Sequence, residues 1–197
     1  EAAPDVSLEA ICEQMGRTPP WAKGLILRAD GYICDFYKIG DYIFHKSEGI
    51  CLITDIIEVD NDGLIKTYYV MKSKFVENSS IIRMSTLNCP QIRKTFTKEE
   101  MEYFLSMIPS LTSIWNNDSR KRKELYHSMV GELNPLPLLT IIKTLNAKKR
   151  EYVEMKKVLP LTDQITMNLA RKLLSEEISH ACDIEINKVI EDIIDTI

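Results

Sequence analysis

Ile50-Cys51-Leu52-Ile53-Thr54-Asp55-Ile56-Ile57-Glu58-Val59 is a long β-branched run, and Asn61-Asp62-Gly63 follows almost at once. β-Branched side chains fit a pleated, half-buried surface. Asn, Asp and Gly tolerate the positive φ that a tight hairpin turn demands. Leu64-Ile65-Lys66-Thr67-Tyr68-Tyr69-Val70-Met71 then returns as the partner strand. Outward from this hairpin, Tyr42-Ile43-Phe44-His45-Lys46 reads as a short strand between Gly40-Asp41 and Glu48-Gly49, and Ser80-Ile81-Ile82-Arg83-Met84-Ser85 as another. Four or five strands packed into about 50 residues predict a small SH3- or Tudor-like half-barrel.

From Thr97 the apolar period changes to that of a helix. Thr97-Lys98-Glu99-Glu100 is a capping box, with Met101, Phe104, Leu105 and Ile108 on one face behind it and Pro109 closing the helix. A second helix is expected from about Asn117 to Val130, ending at Gly131. A third starts from Asn134-Pro135, a cap followed by proline at the first helical position. Thr162-Asp163 is read as the start of a fourth helix and Asp183 as the cap of a fifth. The fold class is α+β and multi-domain: a β half-barrel, then an all-helical C-terminal domain of about five helices. The expected boundaries are an N-terminal extension, native or vector-derived, at 1–35, a β-domain at 36–93 and a helical domain at 94–197. Within the extension, Ser7–Met15 and Trp21–Arg28 read as short helical stretches split by Thr18-Pro19-Pro20.

With 45% hydrophobic and 27% charged residues over 197 positions, the chain can bury a core. No apolar run approaches the roughly 20 residues of a membrane span, and no basic-then-apolar leader precedes the first strand, so a cytoplasmic protein is expected. The five cysteines (Cys12, Cys34, Cys51, Cys89, Cys182) are odd in number and scattered, as free thiols would be. Charge is uneven. Residues 94–157 hold twelve Lys/Arg against eight Asp/Glu, a net of +4; residues 158–197 hold three against eight, a net of −5. A basic middle between acidic ends suits one localised polyanion contact. His45, His127 and His180 lack metal spacing, and Cys51 near His45 lies in an apolar run where an inert thiol is expected. With no phosphate-cradling Gly-rich loop, the expectation is a protein that is not an enzyme and takes no cofactor, metal or small-molecule substrate.

The order of these elements resembles the bacterial CarD/CdnL regulators. Tyr37-Lys38-Ile39-Gly40-Asp41-Tyr42-Ile43-Phe44-His45, Gly49 to Ile56 and Tyr68-Tyr69-Val70-Met71 are similar to the RNA polymerase-interacting domain of that family, a module that also occurs in transcription-repair coupling factors. Trp115, Arg120–Lys123, Gly131-Glu132 and Ile141–Leu145 with Lys148-Lys149-Arg150 resemble its helical half, so that the likeness covers about residues 36–192. The resemblance implies a regulator whose β-domain binds the RNA polymerase β subunit. Its helical domain would lie on promoter DNA at the upstream edge of the transcription bubble and slow the open complex from closing.

It also implies roles for particular side chains. Arg83, pointing opposite to Ile82 and Met84, would face the polymerase. Trp115 would be an apolar wedge at a minor-groove step, although it stands about two residues early against Leu125 and Gly131; burial in a core is its other reading. Arg120 to Lys123 are four consecutive cations that cannot share one helix face, and Arg122 falls where the family has a DNA-facing lysine. Lys148, Lys149 and Arg150 form a second basic patch, while the family's other DNA-facing lysine falls at Thr166. No residue of this set reads base edges, so binding is expected to follow shape and charge. The alternatives are a protein-interaction module that never touches DNA, and a Tudor-like nucleic-acid binder that works without polymerase.

Overall fold

The computed structural model describes residues 37–61, 64–86 and 91–197, together with the backbone of three two-residue strands before them. These are β1 (Val6–Ser7), β2 (Ile26–Leu27) and β3 (Ile33–Cys34), an antiparallel sheet in the order β1-β2-β3. Ile26–Leu27, inside the second expected N-terminal helix, is therefore strand. The rest of both expected helices, apart from Ser7 in β1, lies outside the described residues.

The main sheet is antiparallel and five-stranded: β4 (Tyr42–His45), β5 (Gly49–Asn61), β6 (Leu64–Ser73), β7 (Ile82–Ser85) and β8 (Ile92–Lys94), in the order β7-β6-β5-β4-β8. The β5–β6 hairpin closes at Asn61 opposite Leu64; the turn residues Asp62 and Gly63 themselves lie outside the described residues. A bulge between Ile53 and Asp55 shifts the register of β5 and bends the long strand. Strand β8 is not legible in the sequence, and it runs through Lys94, past the residue expected to end the β-domain.

Five helical segments follow: α1 (Lys98–Ser106), α2 (Ser119–Gly131), α3 (Pro135–Glu154), α4 (Leu161–Cys182) and α5 (Ile186–Val189), the last continuing as a π-helical turn over Ile190–Ile194. Thr97 and Glu100 close the capping box as expected, and Asn134 caps α3 above Pro135. Helix α2 ends at Gly131 as expected, with Leu133 at a left-handed φ of +55° two residues later. One end differs. Asp183 ends α4 in the left-handed conformation, and Glu185 caps the next helix through its contact with Asn187 N–H. Asp tolerates that conformation, so the same residue type serves either end of a helix.

Alternation along the strands sorts the side chains into two cores. Ile43, Cys51, Ile53, Tyr69, Met71, Met84 and Ile92 form a core on one face of the sheet. Phe44 and Ile50, paired across β4 and β5, point the other way and join the helical core of Met101, Tyr126, Leu139, Ile142, Leu145, Leu173 and Ile178. Helix α4 thus lies on the back of the sheet, and its burial ties the sheet to the helices.

Candidate functional site

The outer edge of the sheet is β7, which pairs only with β6 among the described residues. Its alternation buries Met84 and exposes Arg83, in register with Val70 on the opposite face from Met84. The Arg83 side chain makes no hydrogen bond or ion pair among the described residues, and Ile81, two residues before it, is 57% exposed. An edge strand that carries an exposed guanidinium can take up a partner's strand through backbone and hold it by charge.

The helical half treats its cations unequally. Arg122 is 2% exposed. Its Nε and Nη2 donate to Asp163 Oδ1 and Oδ2 at 2.9 and 2.6 Å, its Nη1 donates to the Asn116 carbonyl at 2.5 Å, and its plane lies 4.0 Å from the Trp115 ring centre. The hydrogen bonds to Asp163 hold the guanidinium's pKa above its ordinary value. Expected to face DNA, Arg122 instead turns three of its five N–H groups to Asp163 and Asn116 inside the fold. Trp115 belongs to the same cluster. Its Nε1 donates to Asn117 Oδ1 at 2.9 Å, Tyr152 meets it edge-on at 6.3 Å between ring centres, and Lys148 Nζ lies 5.4 Å from its centre. Half-buried at the rim of the helical core, the indole packs against its own chain.

Of the second patch, Lys148 leans over Trp115 and pairs with Glu151 at 2.7 Å. Lys149 and Arg150 are exposed and line an open groove with Arg171 and Asp195. On a helix of 3.6 residues per turn, Arg150 points nearly opposite to Lys148, so the three cations do not share a face. Arg120 is exposed and loosely paired with Glu124 at 3.4 Å. Thr166 returns its hydroxyl to the Thr162 carbonyl at 3.0 Å.

Where sheet and helices meet, the sequence reading missed the central residues. Arg93 on β8 donates from Nη1 and Nη2 to Glu177 of α4 at 2.5 and 2.7 Å, and from Nε to the Leu133 carbonyl. Its guanidinium lies 4.2 Å from the Phe44 ring centre and 4.0 Å from that of Phe96. Next along α4, Glu176 accepts the Ile50 N–H at 3.1 Å. A Cβ on Gly49 would stand 1.9 Å from Glu176 Oε2, and Gly49 has φ +78°, so glycine is required there twice over. Glu176 and Glu177 are both buried, and burial pushes the Glu176 carboxyl above its ordinary pKa. No local pattern signals these contacts, since the partners stand 84 and 126 residues apart.

Chemistry of the nucleophilic kind finds little support at His45 and Cys51. Burial pushes the Cys51 thiol up to about 12, and His45 Nδ1 accepts the Ser47 and Glu48 N–H groups in the β4–β5 turn. Among the described residues no three His, Cys, Asp or Glu side chains converge as metal ligands would, and no helix is long and apolar enough to cross a membrane. No curated protein matches the chain. The sheet itself is recognisable: residues 37–95, from Tyr37 through β8, match the family model of the CarD-like/TRCF RID domain, a non-catalytic interaction module. This part of the chain is therefore a CarD-like RNA polymerase-interacting domain.

Proposed function

We propose that the chain is a bacterial, cytoplasmic transcription regulator that binds the RNA polymerase β subunit through 36–93 and contacts promoter DNA through 94–197, stabilising the open complex. The observation that carries this reading is Arg83, exposed on the edge strand β7 inside the segment that matches the polymerase-interacting family. Strand addition along β7 supplies backbone affinity, and Arg83 supplies a charged contact. Arg120, Lys149 and Arg150, exposed on α2 and α3, meet phosphates at the upstream edge of the bubble without reading bases. Lys148 joins them at the margin; Arg122 and Trp115 support that surface from beneath.

The test is capture of a polymerase β-lobe fragment by the full chain. Arg83→Glu is expected to weaken capture with an unchanged melting temperature; full capture by the folded variant refutes the contact. A reading without DNA contact is favoured by the engagement of Arg122 and Lys148 within the chain. The salt dependence of DNA binding separates the two, because each duplex phosphate that a variant no longer neutralises flattens the slope by roughly 0.9.

A further inference from the structure

We propose that the groove between α3, α4 and the C-terminal turn is a binding site for a nucleotide. Its phosphates take the place of the Asp195 carboxylate on Arg171, and its ribose hydroxyls face Glu154.

The groove is built from three elements. Asn146, Lys149, Arg150, Val153 and Glu154 follow the spacing that keeps side chains on one face of α3, and Arg171 of α4 and Asp195 complete the lining. Its volume is about 580 Å³, inside the rough range of 300–1,000 Å³ of small-ligand sites. Its polar groups are sorted along the helix. Asn146, 9% exposed, donates from Nδ2 to the Ile194 carbonyl at 3.5 Å, which sets Asp195 and Arg171 at the same end as Lys149 and Arg150. Val153 and Glu154 stand about one turn further, roughly 6 Å along the axis. One end is thus cationic, and the other carries a carboxylate beside an apolar side chain.

An oxyanion already occupies the cationic end. Arg171 Nη2 donates to Asp195 Oδ1, and the two side chains are 23% and 52% exposed. Ion pairs in such contact with water contribute little, so the Asp195 carboxylate leaves Arg171 for solvent at small cost. The backbone need not follow. Val189 and Ile194 are fully buried, and Asp195 N–H donates to the Ile190 carbonyl at 2.9 Å, which pins the turn while its carboxylate swings. A phosphate offers Arg171 a two-pronged acceptor of higher charge than a carboxylate. Lys149 and Arg150 add two exposed cations whose side chains have no partner among the described residues.

The other end selects what the phosphate is attached to. The Glu154 carboxylate, exposed and without a partner among the described residues, repels a second phosphate and accepts hydroxyl donors. Val153, 65% exposed, gives a sugar or base an apolar surface to cover. Phosphates at one end and hydroxyls about a helical turn away describe a nucleotide better than a free anion. Lys149 and Arg150 are also the cations assigned above to promoter phosphates, so an occupied groove withdraws them from DNA. The site does not rest on that contact, because binding is read directly.

The experiment is isothermal titration calorimetry of the full chain with two probes, ADP and inorganic pyrophosphate. ADP is expected to bind about tenfold tighter than pyrophosphate, since only ADP reaches Val153 and Glu154. Arg171→Ala is expected to weaken both probes about tenfold or more. Asp195→Asn, which removes the internal competitor, is expected to strengthen both by about threefold or more. Glu154→Ala should weaken ADP alone, and Arg120→Ala, outside the groove, should change neither. Should Arg171→Ala lower the melting temperature, Lys149→Gln/Arg150→Gln at exposed positions is expected to show the same loss in a folded protein. Failure of both probes to bind at millimolar concentration overturns the site. So does a loss with Arg120→Ala equal to that of the groove variants, which makes the attraction diffuse charge. Unchanged affinities in Asp195→Asn mean that the pair with Arg171 is structural only, and equal affinities for ADP and pyrophosphate overturn the assignment of a nucleotide.

Discussion

Arg122→Ala separates a DNA-facing arginine from a structural one more sharply than any other substitution in the chain. The side chains of Arg122 and Asp163 are 3% and 4% exposed and share two hydrogen bonds. Removing the guanidinium leaves Asp163 charged in a dry site, strips the Asn116 carbonyl of its donor and uncovers one face of Trp115. Breaking a buried pair on one side costs about 3–5 kcal/mol. For a chain of this length each kcal/mol lowers the melting temperature by about 2–4 °C, so the expected fall is about 6–20 °C by calorimetry or circular dichroism. Arg122→Lys is expected to recover little of it, since an ammonium cannot reproduce the two-pronged contact with Asp163 or lie flat on the indole. Arg122→Met with Asp163→Leu removes both charges together and is expected to recover most of the loss. Arg120→Ala, two residues earlier with its side chain 88% exposed, is the control: a melting temperature within about 2 °C of the parent and a flatter salt slope for DNA. An Arg122→Ala protein that melts with the parent while losing DNA affinity would refute the reasoning, because it would mean the guanidinium spends its time in solvent.

Three further outcomes follow from the seam between sheet and helices. Burial holds the proton on Glu176 to higher pH in the native chain than in the unfolded one, against the smaller opposing effects of Lys172 and the Ile50 N–H. Its contribution to stability is therefore full at acid pH and lost as pH rises from the ordinary carboxyl range through the raised value. Glu176→Gln, which keeps an acceptor for Ile50, is expected to raise the melting temperature at pH 8 and leave it unchanged near pH 4; an equal gain at both pH values contradicts this. Gly49→Ala is expected to cost roughly 2–4 kcal/mol in denaturant unfolding, combining left-handed strain with displacement of the Glu176 carboxylate. Adding Glu176→Ala should cost less than the sum of the two single changes, and strict additivity would deny the contact. Arg93→Lys is expected to destabilise by about 3 kcal/mol in the same assay despite keeping the charge, because the bidentate bond to Glu177 and the stacking on Phe44 and Phe96 need a flat guanidinium; parental stability would deny that requirement.

What the sequence disclosed and what it withheld divide along the range of the interactions. The β5–β6 hairpin, the Thr97 capping box and the Asn134-Pro135 start of α3 are each decided by residues close together along the chain, so their signals survive in the linear order of residues. Alternation in Ile82-Arg83-Met84 likewise shows which side chain faces out, and the structure leaves Arg83 exposed. Strand β8 is three residues long and carries no alternation to read; it is strand because β4 offers it an edge. The cations show the same limit more plainly. Arg120 and Arg122 look alike in a basic run, but one is exposed and loosely paired with Glu124 while the other is spent on Asp163, a residue 41 positions away. Arg93 looks like any cation at the end of a domain, yet it is held by a glutamate 84 positions on, which a count of charges treats as part of an acidic tail. Charge counts over segments therefore misjudge the exposed charge, because Arg122 of the basic segment and Glu177 of the acidic one are both neutralised inside the fold. The cations that stay exposed in the helical half include Arg120, Lys121, Lys123, Lys149, Arg150, Lys156 and Lys157, and only the fold decides which of them share a face.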